Sequence, residues 1–544
     1  MSGEPERVNR QENCGVCGVE AKQKCSDCKS IYYCGREHQK LDWKRHAKNC
    51  QGFKIAIDSK VGRHYVAKRK IEIGTIVLRE EKALLAWPPQ GTPPVCLGCY
   101  AILRADYSRE CDVCGWPLCR DCNDHDSTGE CEFTIKNRGS KVSINDFEIP
   151  HPTYRSIGVI RALAMREKDP EAYRRLLDLE DHCREASEQE GLQQGPILDA
   201  PMDVANFVKR FFKLEHLSAD EIAKIVGILR INGHEVPTTE NPHVAIYDRA
   251  SYIEHNCRAN CSKSFTENGG IVIRAAVPIL KGDHISICYT DPLWGVVDRR
   301  HYLAQTKYFD CTCERCTDPT EFGSMFNALK CIAKDCDGDM LPPSFIIAED
   351  PEKDPEYPDY ACSKCKSTLS WQQVEMLQEK IGIALSNMRK EDVDSCNKFI
   401  ENHYKIIHDN HFYNVDVKTA LALIIGQQTG GLPALSDRLL NDKIVLCQKL
   451  STLYETLVPA ENRIRGMLLF EMHAGIAEFA RRQTPEASCN LLMESRKVLA
   501  ESYQLLRHEP TILPEGKLAI QALKNLREMD VIIETILEKT ASPI

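Results

Sequence analysis

Cysteines in this chain come in closely spaced pairs, and that spacing limits what it can fold into more than any other feature. Of 544 residues 27 are cysteine, and 24 of these lie between Cys14 and Cys365, while the 179 residues from Lys366 on hold three. Cysteines used only as small buried side chains would not gather into pairs and then stop. The start MSGEPERVNRQENC has no apolar signal core. Lasting disulfides are therefore not expected, which leaves thiolate ligation of metal as the reason for so many. A net charge of -9 argues against a general nucleic-acid coat. No run of about 18 apolar residues suggests a membrane span. Chain length alone implies about three or four domains.

The first cluster is Cys14-x2-Cys17, Cys25-x2-Cys28, Cys34-x3-His38 and His46-x3-Cys50. Tetrahedral zinc takes four S or N ligands, so eight candidates make two ions. Interleaving gives Cys14, Cys17, Cys34 and His38 to one, and Cys25, Cys28, His46 and Cys50 to the other. A short helix over 39–48 would deliver His46. With so little apolar material around them, metal must supply much of the folding energy. The second cluster pairs Cys96, Cys99, Cys119 and Cys122, and separately Cys111, Cys114, His125 and Cys131. For the histidine position, His151 or a nearby aspartate is an alternative.

The third cluster, Cys311, Cys313 and Cys316, lacks a fourth ligand, for which Cys257 and Cys261 are the candidates. A fourth set, Cys331, Cys336, Cys362 and Cys365, is complete and encloses a proline-rich acidic loop. The ledger comes to about six structural ions. Cys183, Cys261, Cys288, Cys396, Cys447 and Cys489 are left over, each expected as a buried small side chain.

Strand signals occupy 54–85, around a Gly74 turn, and 270–289, where Ile271–Ile273 and the alternating Ile285, Ile287 and Tyr289 form two strands. Between them 153–233 has helical spacing, with Pro170 and Pro201 fitting helix starts. From Ser370 on the pattern is helical, broken at Gly430–Gly431, Pro459, Pro485 and Pro510–Pro514.

The run YYCGREHQKLDWKRHAKNC resembles the second half of a MYND zinc finger, with His38 at the place of the usual cysteine. Together with the split strand region, EHNCRAN, GDHISICY and KYFDCTCERC, it makes the chain similar to SMYD-type SET and MYND domain proteins, and within them to the arthropod-specific SmydA branch. The resemblance implies a multidomain α+β fold. Its parts are a MYND finger (10–50), a SET first part (53–90), an inserted divergent MYND-like module (91–135), and a helical insert with the SET core (136–295). A post-SET zinc module (296–320), a four-cysteine module (321–369) and an all-helical, tetratricopeptide-like domain (370–544) follow, the last flanking the substrate cleft.

The same resemblance implies transfer of a methyl group from S-adenosylmethionine to a protein lysine. It makes Tyr289 the catalytic tyrosine and Cys257 the fourth post-SET ligand. Cofactor contacts are implied at Gly62, Arg63, His64, Asn232, Glu254, His255, Tyr289 and Phe309, with Tyr308 near the lysine channel. The chain departs from the family pattern at His64, where a second glycine is usual, and at Glu254, where asparagine is usual. Both changes weaken the expected cofactor site and keep open a second reading, an inactive SET scaffold acting as an adaptor in transcriptional repression. The implied partners are a lysine-bearing protein or peptide and, through the MYND finger, proline-rich peptides. No membrane and no sequence-specific nucleic acid is expected, and both cytoplasm and nucleus fit.

Overall fold

The computed structural model describes residues 14–25, 31–46, 52–59, 61–122, 125–185, 200–343 and 359–541. Short β elements, each too small to stand alone, are joined into one core by side chains from several sheets. The hairpin Phe53–Asp58/Gly62–Ala67 pairs Asp58 with Gly62, and Gly62 turns the chain at φ 69°. Only glycine takes that left-handed conformation without strain. Strand Ile76–Glu80 pairs antiparallel with Ile271–Ala275, which pairs with Cys261–Phe265; a bulge falls at Ile273/Arg274. A further sheet runs Leu85–Trp87, His243–Ile246, His234–Val236. Phe53, Tyr65, Leu78, Val236, Ile253, Ile273 and Ile285 bury their side chains together at the centre.

Ile285, Ile287 and Tyr289 do not form the alternating strand the sequence suggests. Only Ser286–Ile287 is extended, and it pairs in parallel with Glu254–His255. Asn260 completes the crossing: its Nδ2 donates to the His284 carbonyl at 2.7 Å and its Oδ1 accepts from Ser286 N at 3.0 Å. Two chain segments are thus joined by one side-chain amide, which periodicity does not reveal.

The helical insert comprises Ile157–Lys168, Pro170–Leu177, Pro201–Phe211 and Ala219–Asn232, with Pro170 and Pro201 in the first turn of their helices. Proline lacks the N–H that a first turn leaves unpaired, so it costs nothing there. Ser218 and Glu221 form a reciprocal capping box at the last of these helices. Helix Arg36–His46 begins three residues earlier than its sequence suggests. The C-terminal region is helical from Trp371 to Ala541, its last three helices being Asn462–Arg481, Pro485–Leu506 and Pro514–Ala541. Among the described residues no helix is long and apolar enough to cross a membrane.

Candidate active site and metal centres

Five of the six expected quartets come together: Cys14/Cys17/Cys34/His38, Cys96/Cys99/Cys119/Cys122, Cys111/Cys114/His125/Cys131, Cys257/Cys311/Cys313/Cys316 and Cys331/Cys336/Cys362/Cys365. Within each, the ligand atoms lie within 4.8 Å of one another. Four sulfurs about 2.3 Å from one zinc would stand about 3.8 Å apart. The observed S···S distances are 3.5 Å for Cys257–Cys316 and Cys331–Cys365, 3.7 Å for Cys17–Cys34 and Cys99–Cys119, 3.8 Å for Cys111–Cys131 and Cys336–Cys362, and 3.9 Å for Cys257–Cys311. A disulfide would need about 2.05 Å. His38 offers Nδ1, 3.0 Å from Cys34 Sγ, and His125 offers Nε2, 3.2 Å from Cys114 Sγ. Of the sixth quartet, Cys25 and His46 are buried; Cys28 and Cys50 lie outside the described residues. Among the left-over cysteines Cys261, Cys396, Cys447 and Cys489 are buried, while Cys183 and Cys288 are only half-buried.

It is His125, not His151, that lies with Cys111, Cys114 and Cys131. His125 Nδ1 faces Glu130 Oε1 at 2.9 Å, and Arg161 grips the same carboxylate at 2.8 and 3.1 Å, all with side chains at most 1% exposed. Such a carboxylate fixes a ligand histidine's tautomer and direction. Burial works against Glu130's charge, but Arg161 and His125 outweigh it and hold its carboxyl down at about 2. His151 instead caps the turn at Thr153.

At the third cluster Cys257, not Cys261, meets Cys311 and Cys316. Around it Arg299 and Arg315 share Glu321, at 3.0 and 2.5 Å, with side chains 0–1% exposed. Two guanidiniums and one carboxylate leave one positive charge buried. Four thiolates around a divalent ion carry two negative charges, which makes that arginine surplus reasonable.

Next to this quartet lies the candidate active site. His255 joins the two: its Nδ1 accepts from Tyr289 N at 3.0 Å, and its Nε2 stands 3.2 Å from Cys257 Sγ. Burial lowers His255 to about 4, so the ring is neutral. The Tyr289 hydroxyl donates to the Ile253 carbonyl. Burial, then Glu254, raises the phenol well above its ordinary value, so it keeps its proton. Phe309 stacks obliquely on His255, with centroids 5.8 Å apart.

The other expected cofactor residues each have contacts of their own. Beyond Gly62 an added Cβ would meet nothing within 4 Å. Arg63 lies over the Tyr252 ring and pairs with Asp178 at 2.5 Å. Asn232 Nδ2 is committed to the Glu180 and Ile228 carbonyls, at 2.9 Å each. His64 is buried, its Nδ1 bound to the Gly62 carbonyl, and its ring stacks on His284 at 4.2 Å; His284 Nδ1 in turn meets Glu254 Oε2 at 2.9 Å. The two departures from the family pattern are therefore linked through a third residue that sequence reasoning did not single out.

Tyr308 packs against His182, at φ 58°. Its neighbour Lys307 reaches the Tyr289 ring, with Nζ 6.0 Å from the centroid. In the sequence Lys307 is one lysine among many.

A cavity of about 380 Å³ separates the SET strands from the helical domain, lined among others by Lys263, Cys288, Glu461, Arg463 and Glu509. Burial raises Glu509 to about 7, with Glu515 and Glu461 adding and Arg463 opposing. Its proton is bound more tightly in the fold than in the unfolded chain, whose value is 4.5. The associated stability is full below about pH 4 and is lost as pH rises through 7. Glu509→Gln is thus expected to change the denaturant midpoint little at pH 5 and to add about 2–3 kcal/mol by pH 8.

The MYND finger family model matches residues 14–50, and the SET domain model matches residues 62–290. The chain is similar to the SET domain-containing protein SmydA-8, isoform A, of Drosophila melanogaster, 26% identical over 351 residues that cover 63% of this chain and 70% of that one. It is similar to the histone-lysine N-methyltransferase ASHR1 of Arabidopsis thaliana, 22% identical over 69% of this chain and 59% of the relative. To the human histone-lysine N-methyltransferase SMYD1 it is 27% identical over 26% of this chain and 30% of the relative. With a MYND finger ahead of a SET domain, clustered Cys/His sites and a helical C-terminal region, the chain is a SMYD-type SET and MYND domain protein.

Proposed function

We propose that the chain is an S-adenosylmethionine-dependent protein-lysine N-methyltransferase, with zinc as a structural ion in each Cys/His quartet. The observation that carries the reading is Tyr289, whose phenol donates to the Ile253 carbonyl and whose backbone N–H donates to His255, just past the parallel pairing of Ser286–Ile287 with Glu254–His255. The cofactor would supply an electrophilic methyl on its sulfonium. Gly62, Arg63, His255 and Phe309 would hold it. Glu254, which alone would repel a carboxylate, has His284 against it.

An acceptor lysine ordinarily titrates near 10.4 and must be neutral to attack. Removal from water favours that form. The Tyr289 ring and hydroxyl would orient the amine, and the cleft beside the helical domain would admit the protein substrate. Proline-rich peptides would dock on the first finger.

A second reading, the inactive scaffold serving as an adaptor, is favoured by His64, whose buried ring fills a place where the family has no side chain. Calorimetric titration of the full chain with S-adenosylmethionine separates the two. The enzyme reading expects binding, and Tyr289→Phe should leave affinity within about two-fold while lowering methyl transfer by about 10²-fold or more. No binding up to millimolar cofactor would leave the scaffold.

A further inference from the structure

We propose that Lys307 occupies the position an acceptor lysine would take beside Tyr289, and that an outside lysine enters only when the Lys307 side chain leaves it. The inference rests on the methyltransferase reading and adds to it the residue that decides access.

Lys307 is the last residue of helix Val296–Lys307. Its ammonium is held on two sides. The Tyr289 ring lies 6.0 Å away, and the carbonyls of Ile231 and Arg230 accept from Nζ at 2.7 and 3.4 Å. Those carbonyls end helix Ala219–Asn232. Terminal helix carbonyls have no partner within their own helix and carry the negative end of its dipole, so a cation is well placed there. An aromatic face and backbone oxygens are also what an entering lysine would need. Lys307 already uses both.

Charge works in the same direction. Burial, and then the charge of Lys263, brings Lys307 down to about 8. Lys263 is itself lowered by burial and by Arg463. Burial, then Lys263 and Lys307, keep His234 neutral. A second ammonium arriving here would meet two lysines. Glu235 and Glu461 act on Lys263, but Lys263 is the charged group that acts on Lys307.

The test uses the full-length chain and n-butylammonium, a mimic of the lysine stem, detected by saturation-transfer NMR with and without S-adenosylhomocysteine. Wild type and Lys307→Arg should give a weak signal. Lys307→Ala should give a signal at least ten-fold stronger, which a further Tyr289→Ala change removes. Lys307→Ser is a second opening variant should the alanine form melt early. Equal signals from wild type and the opened variants would overturn the proposal, as would no signal from any folded variant. Failure to bind S-adenosylhomocysteine counts separately, against the methyltransferase reading, because the amine signal is also read in its absence.

Discussion

Stripping metal from the reduced protein with a strong chelator is expected to collapse the region around Tyr289 and abolish cofactor binding. Cys257, Cys311 and Cys316 are buried and Cys313 half-buried, so the empty quartet would leave four thiols beside Arg299 and Arg315 with one carboxylate between two guanidiniums. Structural zinc contributes about 10–16 kcal/mol per site in small modules, as much as the whole stability of an ordinary domain. His255 carries the damage to the active site, since one ring nitrogen faces Cys257 and the other holds the backbone of Tyr289. Cys257→Ser should reproduce the loss of cofactor binding while leaving the finger at 14–50 folded. The checks are zinc release by a chromophoric chelator, melting with and without chelator, and cofactor calorimetry. A metal-free sample with an unchanged melting curve would refute the assignment.

Arg161→Met is expected to cost about 3–5 kcal/mol, the range for removing one partner of a buried ion pair. Arg161 donates to both oxygens of Glu130, to the Leu97 and Ala86 carbonyls and to the Tyr100 hydroxyl. Methionine matches the stem but meets none of these. Glu130 would then stand buried without its guanidinium partner, and the metal site behind the His125 ring would lose its alignment. The inserted finger does not fail alone, because Cys96, Cys114, Trp116 and Cys119 share a buried cluster with Ile157, Ile160, Val204 and Ile228 of the helical insert. The melting temperature should fall by about 6–15 °C. Arg161→Met combined with Glu130→Gln should recover part of the loss, because no unpaired charge remains. A loss below about 1 kcal/mol in denaturant melts would show that the pair does not hold the finger.

Local spacing explains why most ligands were legible in the sequence. Two cysteines on one turn of backbone reveal themselves, and interleaving of pairs follows from the need for four ligands. Cys257 was different: it lies 54 residues from Cys311, and only the family resemblance singled it out over Cys261. His125 was uncertain because its support, Glu130 and Arg161, is a buried contact spanning 31 residues. The C-terminal helices and the proline starts were readable because turn chemistry is local. The parallel crossing at Ser286–Ile287 was not, since alternation says nothing about which segment a strand meets. Lys307 was illegible for the same reason, as its carbonyl partners lie 76 and 77 residues earlier.

His64 rests on His284, and His284 is bound to Glu254. These side chains come from three separate stretches of the chain, yet each now depends on its neighbour for a surface or a hydrogen-bond partner. Restoring the family's glycine at 64 alone would uncover one face of the His284 ring, and restoring asparagine at 254 alone would take away that ring's anionic partner. The effects of such reversions cannot add. The positions are coupled, and a pocket of the family's usual kind is separated from this one by several simultaneous changes, with less favourable combinations lying between.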